Sequence, residues 1–228
     1  PNMQRRFLAA LTTLTLVALT QISASAAEHR IVKLEESAPA DSVSKEVAAQ
    51  LNETGISIYR GETRKVCDIW LFKSITVPAL KGKGDVIYPF SQGQMLGVIR
   101  YSRSGSDFRD QDIEAGVYTL RYAHQPVDGA HVGTSPTRDF LMLLNAEHDK
   151  VLKPASRDEM NEQSAEVAQS SHPAILSLQK VSGDSKAPSI RENAEHEWWI
   201  VRLNTNAKVG DEVKPLPLDL VVVGYASE

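Results

Sequence analysis

The 228-residue chain has a single cysteine, Cys67, so no disulfide can form within it. Stability must come from packing instead. Val66, Ile69 and Leu71 surround Cys67 in sequence, which points to a buried, inert thiol. No cluster of lysines and arginines interrupts a formal net charge of −4. Nucleic-acid binding therefore lacks its electrostatic footprint. There is no Gly-x-Ser-x-Gly elbow, no His-Glu-x-x-His helix, no Cys-x-x-Cys pair and no Cys-x-x-Cys-His haem site, and neither a phosphate-cradling P-loop nor a dinucleotide glycine fingerprint occurs. The usual marks of α/β hydrolases, zincins, redox proteins and nucleotide enzymes are thus missing. Nothing recurs at the period of about 20 to 50 residues that marks a solenoid or propeller.

What the chain does have begins at its start. Met3 reads as the initiator, with Pro1 and Asn2 as stray leading residues. Arg5 and Arg6 are followed by the uncharged, mostly apolar run Phe7 to Leu19 and then by Ala24-Ser25-Ala26. Basic, apolar and small is the order of a secretory signal peptide cut after Ala26. The apolar run is 13 residues long, whereas a membrane-spanning helix needs about 20. No transmembrane segment is expected in the mature chain, and no cysteine follows the cut to carry a lipid. The expectation is an exported protein, periplasmic or extracellular. Losing Arg5 and Arg6 lowers the basic residues from 25 to 23 against 29 acids, a mature charge of −6. That balance favours solubility and marks no polyanionic partner.

Residues 27–54 read as a loose leader, 27–40, followed by a short helix. Asp41 is its expected cap, and Val43, Val47, Ala48 and Leu51 share one face. Residues 55–228 read as one β domain. Strand patterns occur at Ile56–Tyr59, Arg64–Phe72, Val86–Tyr88, Met95–Tyr101, Gly116–Tyr122, Phe140–Leu144, Ala174–Leu178, Trp198–Leu203 and Leu218–Tyr225. One segment has the helical period: Ser156-Arg157-Asp158-Glu159 is a capping box, and Met160, Ser164, Val167 and Ala168 follow on one face. Strands and helices do not alternate, which argues against a parallel doubly wound sheet. The expected fold is mainly β, a single β-sandwich or jelly-roll-like domain with two short helices.

Candidate site residues gather in residues 123–139, a connection longer than a hairpin requires. It holds His124, Asp128 and His131, with Arg138 and Asp139 at its end. Two imidazoles and a carboxylate can ligate a transition metal if they converge; Asp128 and His131 can equally serve as acid and base, with Arg138 as an anion clamp. Against this, Asp128-Gly129 is good turn chemistry, and loop histidines often do no more than bond the backbone. His172 is expected to cap a helix C-terminus, His148 to be solvated, and His196 to lie at a strand edge. Trp198 and Trp199 must point to opposite faces of a strand, so one of them can stack on a carbohydrate. Asp68 and Arg121 each lie in an otherwise apolar strand; alternation favours solvent-facing positions for both, and facing inward they would be expected to pair.

Four stretches carry a resemblance: Val66-Cys67-Asp68-Ile69-Trp70, Ala115-Gly116-Val117-Tyr118-Thr119-Leu120-Arg121, Thr134-Ser135-Pro136-Thr137-Arg138-Asp139-Phe140 and Ser171-His172-Pro173. They resemble an uncharacterised family of exported bacterial β-sandwich proteins, a domain of unknown function. The resemblance implies export and a β-sandwich and supplies no catalytic residues. Three functions follow as expectations: foremost a binding or interaction module whose ligand, protein or carbohydrate, is unknown, then a metal-dependent or acid–base enzyme built on residues 123–139, and a carbohydrate-binding protein.

Overall fold

The computed structural model describes residues 28–126 and 135–226. Asp128 and His131, two of the expected site residues, lie outside them. The described chain is mainly β, and two helices, α1 (Lys45–Gln50) and α2 (Arg157–Val167), accompany the strands. The strands along the main path are β1 (His29–Leu34), β2 (Gly55–Arg60), β3 (Arg64–Leu71), β5 (Met95–Tyr101), β8 (Gly116–His124), β9 (Asp139–Asn145), β10 (Ile175–Gln179), β11 (Ser189–Asn193), β12 (Trp198–Val209) and β13 (Glu212–Val223). They follow the order β1-β2-β3-β5-β8-β9-β10-β13-β12-β11, antiparallel throughout. The short β4 (Ile75–Thr76) adds in parallel to β12, and β6 (Gly105–Ser106) pairs with β7 (Asp112–Ile113). The large sheet curls until β1 lies beside β11, giving a sandwich or jelly-roll-like body.

Cross-strand register explains the core. One face of the sheet carries a continuous ladder of apolar partners: Ile31 opposite Ile58, Ile58 opposite Cys67, Ile69 opposite Ile99, Ile99 opposite Tyr118, Leu120 opposite Leu143, Leu141 opposite Leu176, Leu178 opposite Leu220 and Leu220 opposite Val201. All but the partly buried Ile31 are at least nine-tenths buried. Because side chains alternate along a strand, the intervening residues face the other way. Loops and α2 cover much of that second face: Met160 of α2 packs against Ala123, Met142 and Leu144.

Here the second face departs from expectation. Asp68 and Arg121 do alternate away from the apolar ladder, yet neither is solvated. Asp68 accepts from Arg100 Nη2 at 2.6 Å, from Arg100 Nε at 2.9 Å and from the Ser57 hydroxyl. Arg121 binds Asp149 through Nη2 and Nε, both at 2.6 Å. A third pair, Arg202 and Asp219, bonds at 2.7 Å and 2.9 Å. Each pair fastens a covering segment. Arg100 also reaches Glu36 at 2.6 Å, Arg121 donates to the carbonyls of Gly93 and Val151, and Arg202 donates to those of Gly183 and Ser185.

Two boundaries also differ. Residues 29–34 form the strand β1 rather than a loose leader, because Ile31 and Leu34 reach the core beside β2. Helix α1 is capped by Ser44, whose hydroxyl accepts from Val47 N, rather than by Asp41. The capping box of α2 forms as its sequence requires: Ser156 and Glu159 each bond the other's backbone N–H. Residues 86–88 belong to a connection, and β11 forms where the sequence shows no clear strand pattern.

Candidate functional site

Asp107 organises the region around the end of β8. Its buried carboxylate accepts from Arg109 N at 2.8 Å, Gln111 N at 2.9 Å, Gln111 Nε2 at 3.0 Å and Ile175 N at 2.9 Å. A short Asp thus folds the 107–111 turn and locks it to the first residue of β10. Phe108 N then donates to Ile175 O at 2.7 Å, and Ala226 N donates to Phe108 O at 3.0 Å. Phe108 is driven into the body, where its ring meets Phe140 at 6.2 Å and Trp198 at 5.1 Å between centroids.

This construction leaves a cleft of about 200 Å³ between the 108–109 turn, the end of β8 and the His172–Pro173 connection. Phe108, Phe140, Ala123 and Ile175 line it with apolar surface, while Arg109 and His172 stand at its exposed edge. His172 therefore does not cap α2. The helix closes at Ala168, four positions earlier, and the backbone N–H of His172 donates to Ser170 Oγ at 3.2 Å. The guanidinium of Arg109 has no hydrogen bond or ion pair among the described residues.

His124 also borders the cleft. Its ring packs edge-on to Tyr122 at 4.9 Å, its backbone N–H donates to Gln92 Oε1 at 3.0 Å, and its ring Nε2 is buried without a partner among the described residues. Burial lowers the His124 pKa, against a smaller upward pull from Asp139. The imidazole is consequently neutral at pH 7.

Asp139 stands opposite His124 across the β8–β9 pair, but its carboxylate is engaged by the chain itself. It is fully buried, and its carboxylate accepts from Ile87 N and Tyr88 N, both at 3.0 Å, and from the Tyr122 hydroxyl. Burial, together with that bond to Asp139, pushes the Tyr122 hydroxyl far above its ordinary pKa. Asp139 is thus a bracket that pins the 87–88 backbone to the sheet. Arg138 is equally engaged: Nη1 pairs with Asp85 at 2.6 Å, and Nε and Nη2 donate to Gln125 O at 3.0 Å and 2.7 Å. Of the expected set, the fold brings His124, Arg138 and Asp139 together, but the last two are committed to holding chain segments in place. Among the described residues no three His, Cys, Asp or Glu side chains converge as a metal site.

The tryptophans divide as their alternation requires. Trp198 is 2% exposed; its ring is covered by Phe108 and by the His196 imidazole stacked at 4.3 Å, and its indole N–H donates to Tyr225 O at 2.8 Å. It has no face for a sugar, which corrects the stacking expectation at that position. Trp199 is half-buried and meets His29 at 4.6 Å. His196 sits in the β11–β12 turn rather than on a strand, and His148 is exposed as expected.

Sequence reasoning missed Phe108, Arg109 and the placement of His172. The available signal was Asp107, followed by Arg109 and Gln111, a turn-forming carboxylate with two backbone donors in reach. No helix among the described residues is long and apolar enough to cross a membrane. No family model, curated protein or solved structure matches this chain.

Proposed function

We propose that the chain is an exported binding or interaction module that takes one apolar or aromatic group of its partner into the cleft beside Phe108. The size and lining of that cleft carry the proposal. Ligand pockets for whole small molecules usually measure about 300 to 1,000 Å³, and this one measures about 200 Å³. It suits a single anchoring side chain, the usual unit of a protein–protein hot spot. Arg109 and His172 at the rim favour an anchor that carries a carboxylate beside its apolar group. The engagement of Arg138 and Asp139 in backbone contacts weighs against an acid–base enzyme here. Export is supported by the basic, apolar and small segments ending at Ala26, with β1 starting shortly beyond at His29.

N-acetyl-phenylalanine combines the ring and the carboxylate. At about 0.3 kcal/mol for each of its roughly 15 heavy atoms, it should bind with about 4.5 kcal/mol, a Kd of about 0.5 mM. Titration followed by NMR should give saturable shifts at Phe108, Ala123 and Ile175, and Arg109→Gln should weaken binding several-fold. An absence of saturable shifts, or shifts confined to other parts of the sheet, would overturn the placement.

A further inference from the structure

A second cavity, of about 370 Å³, lies where the start of β1, the β2–β3 hairpin and the end of β5 meet. Its lining is unlike that of the cleft. In a chain with a net negative charge, Arg60, Arg64 and Arg103 all border it and none has an ion pair or side-chain hydrogen bond among the described residues. Lys65 also borders it but is paired with Asp68 at 2.9 Å. Asp110 and Asp112 lie on the same rim, so three unpaired guanidiniums face two carboxylates.

Two further side chains in this lining are almost wholly buried and lack partners. His29 is 6% exposed, and neither Nδ1 nor Nε2 has a hydrogen bond; Tyr101 is 2% exposed, and its hydroxyl has none. An unsatisfied buried donor costs about 1 to 3 kcal/mol, so two orphaned groups in one cavity call for a common partner. Their positions are fixed by the fold. His29 pairs with Arg60 in the β1–β2 register, and Gly105 lies so close to the Tyr101 ring that a Cβ there would fall 2.6 Å from Cε1. Burial, reinforced by the nearby charge of Arg60, lowers the His29 pKa to about 4, so at pH 7 the imidazole keeps one N–H donor and one bare nitrogen.

We propose that this cavity binds a tetrahedral oxyanion, a phosphate group, held by the guanidiniums of Arg60, Arg64 and Arg103 and by the buried N–H of His29 and O–H of Tyr101. Planar guanidiniums suit phosphate because each presents two parallel donors. A phosphate placed there gives both orphaned donors an acceptor and offsets the excess of positive charge. The site is separate from the Phe108 cleft and does not depend on the proposal made for it.

The test is calorimetric titration of the full chain with inorganic phosphate in a phosphate-free buffer, alongside NMR of the His29 imidazole. One saturable site with a shifted His29 signal is expected. The exposed double variant Arg60→Gln/Arg103→Gln should weaken binding at least tenfold, while Lys208→Gln, an exposed cation on β12, should leave it unchanged. Tyr101→Phe should weaken it several-fold with the phosphate-free thermal midpoint unchanged or raised, since the variant also removes an unpaired buried hydroxyl. Glycerol phosphate is the second arm: equal affinity assigns the site to a phosphate at the end of a larger molecule, and exclusion assigns it to the free ion. No saturable heat and no His29 shift would mean that water alone satisfies His29 and Tyr101, and the proposal would fall. It would fall equally if binding were indifferent to the arginine pair.

Discussion

Arg121 offers the most direct test of how the second face of the sheet is held. Its side chain is 1% exposed and uses every donor it has. Nε and one N–H of Nη2 go to Asp149 at 2.6 Å each, the other N–H of Nη2 goes to Val151 O at 2.5 Å, and Nη1 serves Gly93 O at 2.6 Å and Lys153 O at 3.2 Å. One residue thus ties the 149–153 segment and the turn before β5 to the centre of β8. Arg121→Met removes the charge but leaves Asp149, 8% exposed, ionised with only the Thr119 hydroxyl and little water to compensate. Breaking a buried pair from one side typically costs about 3 to 5 kcal/mol. For a domain of this size each kcal/mol moves the thermal midpoint by about 2 to 4 °C, so a fall of about 6 to 20 °C is expected. Asp149→Leu alone should behave similarly, since it strands the guanidinium. The double variant Arg121→Met/Asp149→Leu should recover much of the loss, because no uncompensated charge remains. Urea unfolding at low and high salt measures the cycle, and the coupling should persist at high salt because the pair is shielded from counterions. Single-variant losses below about 1 kcal/mol, or strictly additive losses, would refute the assignment of Arg121 as a buried fastening.

Three further outcomes follow. Gly93→Ala should destabilise strongly, by about 3 kcal/mol or more in urea unfolding, because φ is +79° and a Cβ would lie 2.0 Å from Ala155 O; Gly61→Ala, with φ at +62° and open space around it, should cost only about 1 to 2 kcal/mol. Cys67 is fully buried, and burial raises its thiol pKa far above the ordinary value, so a thiol reagent should label it only in denaturant. His29 has its pKa lowered to about 4 by burial, from an ordinary 6.5, so the unfolded chain takes up a proton at a higher pH than the folded one. The stability that rests on a neutral His29 is complete above pH 6.5 and declines as pH falls towards 4, by at most about 3 kcal/mol. In thermal unfolding without phosphate, His29→Gln should flatten that part of the pH profile.

The strands most legible in the sequence were those whose alternation reports burial. Tyr118, Leu120 and Tyr122 of β8 and the apolar run of β9 read correctly because both strands are central, and α2 read correctly because its capping box is a local device that needs no tertiary partner. The edges were harder. In β1, Ile31 and Leu34 are the apolar residues that reach the core among Arg30, Val32 and Lys33; in β11, Ile190 is the one apolar residue of the strand. Such strands owe their conformation to the neighbour they bond, and one sequence does not display the neighbour. The same limit governs Asp68 and Arg121. Alternation places both away from the apolar ladder, but it says which face a side chain takes and not whether that face is wet. In a curled sheet with a covered second face, a charge at such a position meets a loop before it meets water. It must then find its counter-charge in that loop or on the neighbouring strand, as Arg121 does in Asp149 and Asp68 in its β5 partner Arg100. Arg138 and Asp139 follow the same rule, for the charges that drew attention as a site are spent on Asp85, Gln125 and the 87–88 backbone. At the two cavities, the groups left for a ligand are those no loop has claimed: Arg109 and His172 at the cleft, and Arg60, Arg64 and Arg103 around His29 and Tyr101.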